Sequence, residues 1–160
     1  MRRFKYLVMI TIEPYKADYK EYIKSLNYEW LEKHFAVEPV DVIQLSNPQK
    51  EILDKGGRIF FALDDDKVIG TASLLKVSEE EYELAKMAVT KKYQHAGIGK
   101  MLMEHCIEEA KLLNAKKITL FSNTKLEAAI HVYTKYGFVE IPLPTEMHYV
   151  RSDIKMEKIL

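Results

Sequence analysis

The chain has 160 residues, 48% of them hydrophobic and 30% charged, with 24 Lys and Arg balanced by 24 Asp and Glu. That length suits one domain with its own core, and a net charge of zero lacks the basic surplus that a nucleic-acid binder carries. One cysteine, Cys106, excludes an internal disulfide framework and points to a reducing, cytoplasmic setting, and no apolar run is long enough to span a bilayer. The start, Met1-Arg2-Arg3-Phe4 before an apolar run at 6–12, imitates a signal peptide. Glu13 and Pro14 end that run, however, and no small-residue cleavage site follows.

Alternation of Tyr6, Val8, Ile10 and Ile12 reads as a first strand. Residues 18–35 read as one or two helices anchored by Tyr22, Leu26, Tyr28, Trp30 and Leu31. Ser46-Asn47-Pro48 looks like the cap of a short helix over 49–55 that Gly56 and Gly57 end. Strands follow at 58–63 and 68–77 around a turn at 64–67, and again at 82–89. A helix after residue 97 carries Ile98, Leu102, Cys106, Ala110 and Leu113 on one stripe. A strand at 117–121 precedes a helix over 125–135, which sets Leu126, Ala129, Ile130 and Tyr133 on one face and stops at Gly137. Strands at 138–141 and 149–159 finish the chain. The order β, helices, βββ, α, β, α, ββ predicts an α/β domain with a mixed sheet rather than a doubly wound one.

Tyr93-Gln94-His95-Ala96-Gly97-Ile98-Gly99-Lys100 joins a strand to a helix. Two glycines there let the backbone turn tightly and remove side chains that would fend off a ligand. The unpaired N–H groups at the helix start can then hold an anion such as a pyrophosphate. A dinucleotide loop wants a third glycine where Leu102 stands, and a nucleoside-triphosphate loop wants four residues between its glycines and then Lys-Ser/Thr. The residues alone leave two readings open: an anion site, or glycines that merely allow close packing.

The surroundings of this loop resemble the GNAT superfamily of acyl-CoA-dependent N-acyltransferases. Glu83-Leu84-Ala85-Lys86-Met87-Ala88-Val89 and then Gln94-x-x-Gly97-x-Gly99 are similar to that family's fourth strand, pyrophosphate loop and third helix. Asn123 through Ala129-Ile130-x-x-Tyr133-x-Lys135-x-Gly137-Phe138 is similar to its fifth strand, fourth helix and sixth strand. The two segments cover residues 82–141. The resemblance implies one N-acetyltransferase domain over 1–160, with a mixed, mostly antiparallel sheet flanked by helices, and acetyl-CoA as co-substrate.

It also implies roles for particular residues. Gln94, His95, Ala96, Gly97, Ile98, Gly99 and Lys100 form the loop that holds the pyrophosphate, largely through backbone N–H groups. Met87 and Val89 offer backbone to the pantetheine arm, and an N–H of Ala88 or Val89 polarises the thioester carbonyl. Tyr133 matches the tyrosine that protonates the departing thiolate, and Glu83 the glutamate that some members use to deprotonate the amine. Bland readings stand beside both, a core tyrosine and a strand-end glutamate. Ala96 lacks the basic side chain common at its position. Leu126 replaces a cofactor-binding asparagine, a loss that Asn123 could offset or, equally, Asn123 could simply end its strand. Lys100 and Lys135 either reach the phosphates or stay solvated.

Other groups read as structural. Cys106 lies mid-helix on an apolar stripe with no base nearby in sequence, so it reads as core rather than nucleophile. His34, His95, His105, His131 and His148 lack metal-ligand spacing, and no metal is expected. The family's acceptor site draws on the first two helices, the fourth strand and the loop between strands six and seven. These carry Tyr22, Tyr28, Trp30, Phe35, Tyr149 and Arg151, of which Tyr28, Trp30 and Arg151 are taken as substrate-binding. Aromatic walls with one arginine suit a small amine bearing a carboxylate, such as an amino acid; plain packing explains the aromatics equally well, and a surface salt bridge explains Arg151. A protein amino group suits less well, because Asp64, Asp65 and Asp66 lie in a turn rather than a cleft. The expected activity is N-acetylation of a small primary amine by direct attack in a ternary complex, with no nucleic-acid or membrane partner and a homodimer left open. A non-catalytic acyl-CoA-binding module is the other class, and the joint presence of Glu83 and Tyr133 favours the enzyme.

Overall fold

In the computed structural model, which describes residues 9–146 and 149–160, the chain opens with β1 (Ile10–Pro14), α1 (Lys20–His34) and α2 (Pro39–Ser46). It continues through β2 (Arg58–Asp64), β3 (Lys67–Lys76), β4 (Glu81–Val89) and α3 (Ile98–Leu112). The last elements are β5 (Lys117–Ser122), α4 (Glu127–Lys135), β6 (Val139–Ile141) and β7 (Ile154–Ile159). Tyr6 and Val8 of the expected first strand, the leader-like start and His148 lie outside the described residues.

Seven strands form one sheet in the order β1-β2-β3-β4-β5-β7-β6, with β4 and β5 parallel and every other pair antiparallel. This is the mixed, mostly antiparallel sheet that the sequence predicts. Both faces are covered, which explains why β2 reads as an unbroken apolar run. Alternation along it sends Phe60 and Ala62 into a core with α3, and Ile59, Phe61 and Leu63 into a second core under α1 and α2. On α3, Ile98, Leu102, Cys106 and Ala110 are all buried, as their stripe predicts.

Three expectations need correction. The helix predicted over 49–55 is a single wide turn, Gln49–Leu53, and the real helix precedes it as α2. Glu38 and Asp41 close a reciprocal capping box around Pro39 at its start, while Asn47, read as the next cap, ends α2 through its N–H to Ile43 O. Tyr22 is 44% exposed and does not anchor α1; Ile23, Leu26, Asn27 and Leu31 do. The last strand starts at Ile154, because the residues from 149 to 153 form a loop that turns back onto the sheet. Asp153 pins that loop by accepting from the Thr124 N–H and hydroxyl, each at 2.8 Å.

The element that positions the site is β4. It pairs with β5 only through Glu81↔Lys117, Tyr82↔Ile118 and Glu83↔Thr119, and beyond Glu83 the two strands part. A register shift against β3 accompanies Lys86 at φ +53°, a left-handed backbone that costs a non-glycine residue about 1 kcal/mol. The bulge bends β4 away from β5 and opens a cleft, over which α4 lies. That helix buries no residue completely; Ala129 and Tyr133 of its stripe, with Leu126 just before it, line the cleft, and Ile130 and Tyr133 also pack against the core under α3.

Candidate active site

The cleft has a volume of about 290 Å³ and runs between β4, β5, α1, α4 and the loop that precedes β7. Its geometry starts from the bulge. Asn27 of α1 is buried and donates from Nδ2 to Ile23 O (2.8 Å) and Lys86 O (3.3 Å), holding the bulge against the helix. The Lys86 ammonium is buried 2.8 Å from Asp41 Oδ1. Asp41 in turn accepts two bonds from Arg151, at 2.7 and 3.0 Å. Burial alone would raise the Asp41 carboxyl, but the bonds from Arg151 and Lys86 outweigh it and hold it at about 2. One fully buried carboxylate thus ties α2, β4 and the β6–β7 loop together.

Glu83 sits in the same cleft, 7% exposed, just where β4 leaves β5. Desolvation pushes its carboxyl up to about 7, with the Lys86 charge and the Tyr149 hydroxyl pulling the other way. Tyr149 Oη donates to Glu83 Oε2 at 3.4 Å. Its ring lies under two cations, Lys86 Nζ at 4.8 Å and Arg151 Cζ at 4.7 Å from the centroid. Burial and the neighbouring Glu83 charge raise the Tyr149 phenol, so it stays a donor. A strand-end glutamate in an acidic run would be solvated; this one is held in a pocket near neutral pKa.

Tyr133 also lines the cleft, its ring set edge-on to Phe138 at 5.9 Å. Its hydroxyl hydrogen-bonds to no described residue, and burial pushes its pKa up to about 12. At neutral pH it therefore keeps its proton and stands as a donor toward an anion arriving in the cleft.

At the other end, the loop before α3 decides between the two readings of its glycines. Gly97 caps α3 at φ +81°, a conformation suited to glycine, with no side-chain cap on the helix N-terminus. Yet a Cβ at Gly97 or Gly99 would meet no protein atom within 4 Å. Close packing inside the chain therefore does not explain them. They leave open space beside uncapped N–H groups, which fits a diphosphate. Gln94 Nε2 donates to Val89 O at 3.2 Å and fixes the loop on the end of β4. Glu29 of α1 accepts from Lys91 N at 3.0 Å and so holds the loop from the other side.

The expected residues sort unevenly. Glu83, Tyr133, Met87, Ala88, Val89, Gln94, Gly99, Asn123, Trp30 and Arg151 line one cleft. His95, Ala96 and Gly97 on the loop and Lys100 in the first turn of α3 lie exposed outside it, and the Ile98 side chain is in the core, leaving only its backbone for a ligand. Tyr28 is not part of the cleft. It packs on the α1–α2 core with Lys24 Nζ 5.4 Å over its ring, because it lies on a different face of α1 from Trp30. Asn123 is engaged in its own turn, accepting from Lys125 N (2.9 Å) and donating to Arg151 O (2.8 Å). Arg151 is not a free arginine, since Asp41 and Glu38 both pair with it. Cys106 is buried and its thiol is pushed far up, which disfavours the nucleophilic thiolate.

Two residues of the site escaped the sequence reading. Tyr149 appeared only as one aromatic among several, and nothing in spacing linked it to Glu83. Asp41 had one local signal, the Glu38-Pro39-x-Asp41 helix start, which says nothing of its partners. No helix among the described residues is long and apolar enough to cross a membrane.

The chain is similar to known proteins in both sequence and fold. The family model of the acetyltransferase (GNAT) family matches residues 16–138. The uncharacterized N-acetyltransferase YvbK of Bacillus subtilis (strain 168) is 32% identical over 101 residues, spanning 61% of this chain and 65% of that protein. The [ribosomal protein bS18]-alanine N-acetyltransferase of Escherichia coli (strain K12) is 26% identical over 133 residues, 83% of this chain and 79% of that protein. A crystal structure of an acetyltransferase of the GNAT family from Staphylococcus aureus Mu50 superimposes with a TM-score of 0.84 at 25% identity, over 94% of this chain and 98% of that one.

Proposed function

The chain belongs to the acetyltransferase (GNAT) family, whose members are acyltransferases that use acetyl-CoA, and we propose that it N-acetylates a primary amine of a small molecule by direct attack in a ternary complex. The observation that carries this reading is the pairing of Glu83, with a pKa of about 7, and Tyr133, with a pKa of about 12, on one cleft that runs toward the uncapped α3 N-terminus. Two groups tuned apart in this way suit a base and an acid in the same reaction.

Bound acetyl-CoA supplies an activated acyl thioester. The chain's own residues supply the rest. The amides at Gly97, Ile98 and Gly99, with the α3 dipole behind them, hold the diphosphate. The edge of β4 beyond Glu83 lacks a strand partner, so the backbone of Met87 and Val89 is available to an extended ligand. An N–H of Ala88 or Val89 stabilises negative charge on the carbonyl oxygen. An alkyl amine arrives mostly protonated, with a pKa near 10, and Glu83 takes that proton directly or through water. As the C–S bond breaks, Tyr133 gives its proton to the leaving sulfur, and the second proton that the nitrogen sheds on becoming an amide restores the Tyr133 hydroxyl, while Glu83 passes the first to solvent.

A thiol-release assay with acetyl-CoA tests this against amino acids, polyamines, aminoglycosides and a peptide that begins with alanine. The peptide is included because the bS18 relative modifies an alanine of a protein. Thermal stabilisation by acetyl-CoA with no thiol release from any amine would point instead to a binding module. Tyr133→Phe should lower kcat about 100-fold while leaving acetyl-CoA affinity within about twofold, as loss of a general acid does. An unchanged kcat removes Tyr133 from the acid role.

A further inference from the structure

We infer that the acceptor amine carries no carboxylate beside it, an inference that rests on the acyl-transfer reading above and narrows its substrate class. Two cations line the cleft, Lys86 and Arg151, and the chain pairs both with its own acids. Arg151 uses Nη1 on Asp41 Oδ2 (2.7 Å) and Glu38 Oε2 (3.1 Å), and Nη2 on Asp41 Oδ1 (3.0 Å). The backbone beside it is occupied in the same way. Glu38 accepts from Val150 N at 2.7 Å and from Arg151 N at 3.2 Å. The two terminal nitrogens of a guanidinium form the fork that would grip a substrate carboxylate end-on, and here both are already turned on Asp41, with Glu38 also on Nη1. Displacing Asp41, which is fully buried, would leave Lys86 buried without its partner.

The charges that remain point the same way. With Lys86 and Arg151 set against Asp41 and Glu38, the uncompensated group in the cleft is Glu83, neutral or negative. A carboxylate on the carbon next to the reacting nitrogen would lie near Glu83 and meet a like charge, whereas an ammonium meets the carboxylate and an aromatic face. Trp30 supplies such a face, whereas the rings of Phe35, Phe121 and Tyr149 already carry the chain's own Lys125, Lys155, Lys86 and Arg151. Neither Lys125 nor Lys155 lines the cleft. Lys125 donates to His34 O at 2.8 Å and lies 4.0 Å over Phe35, and Lys155 lies 5.1 Å over Phe121. The acceptors that fit are alkyl or arylalkyl amines, and amino acids whose carboxylate is masked as an amide.

Matched sets test this with the intact chain at saturating acetyl-CoA. Each set keeps one side chain and changes one group, for example phenylalanine, phenylalanine amide and 2-phenylethylamine, with a parallel leucine set. In every set that releases thiol, kcat/KM for the amide and the amine should exceed that for the free amino acid by at least about tenfold, the usual penalty for an unpaired charged group. A free amino acid that matches or outruns its own amide overturns the inference while leaving acyl transfer standing. Thiol release from no amine in any set, with acetyl-CoA still raising the Tm, overturns the acyl-transfer reading itself and takes this inference with it.

Discussion

At Glu83 the burial that poises the carboxylate for catalysis also weakens the fold. Its folded pKa of about 7 stands above the ordinary 4.5, so the native state favours the protonated form. Such a group contributes stability that is present below about pH 4.5 and is lost as the pH rises through 7. The loss is about 3 kcal/mol, from a shift of roughly 2.5 units at 1.36 kcal/mol each. Glu83→Gln keeps the shape of the protonated acid and removes that penalty. We expect its Tm at pH 8 to exceed the native value by about 5–10 °C, and to match it near pH 4. Activity should move the opposite way, with kcat/KM at least about 100-fold lower. In the native protein kcat/KM should climb tenfold per pH unit up to a bend near 7 and level off; in the variant that bend should vanish. A lower Tm at pH 8 for Glu83→Gln would mean that the carboxylate is stabilised by partners rather than strained by burial.

At the scale of elements, the start of α3 shows a similar tension. Gly99 lies in the first turn of a regular helix, where alanine is favoured by about 0.5–1 kcal/mol, and no protein atom opposes a methyl group there. Gly99→Ala should therefore raise the Tm by about 2–3 °C and raise the KM for acetyl-CoA several-fold, because the methyl occupies space kept for the ligand. A KM unchanged by this variant would place the cofactor elsewhere. Gly97→Ala differs, since φ +81° makes it costly for the helix cap itself. The loop and α3 were legible because glycine pairs and a 3.6-residue stripe are local signals. The eight-residue α2 was not, since its start lacks the usual Ser, Thr or Asn and the Ser46-Asn47-Pro48 that ends it imitates a cap. The bulge in β4 was illegible for a deeper reason. A lysine at φ +53° is dictated by its contacts, with Asn27 on its carbonyl and Asp41 on its ammonium, and neither is near it in sequence.

Across the whole molecule Asp41 joins three parts that the sequence keeps far apart, 45 residues from Lys86 and 110 from Arg151. This is the reason Glu83 and Tyr133, each on a recognisable motif, could be named in advance while the wall that decides what reaches them could not. Arg151 reads as a substrate arginine or a surface ion pair because the acid that claims it, Asp41, belongs to a helix the sequence does not announce. Asp41→Asn should cost about 3–5 kcal/mol at pH 7, since it leaves two buried cations without their shared partner. The pH dependence gives this a sign. Asp41 has a folded pKa of about 2 against an ordinary 3.8, so its contribution is complete above about pH 4 and is lost as pH falls toward 2. That part amounts to on the order of 2 kcal/mol. Urea unfolding of both proteins from pH 7 to pH 2.5 should show a gap that is constant down to about pH 4 and narrows below it. A gap that persists undiminished at pH 2.5 would assign the effect of Asp41→Asn to lost packing or capping in α2 rather than to the charge. If the network also shapes the acceptor wall, the same variant raises KM for the amine more than KM for acetyl-CoA, because the bulge and Arg151 border the amine's end of the cleft while the α3 loop stands apart from them.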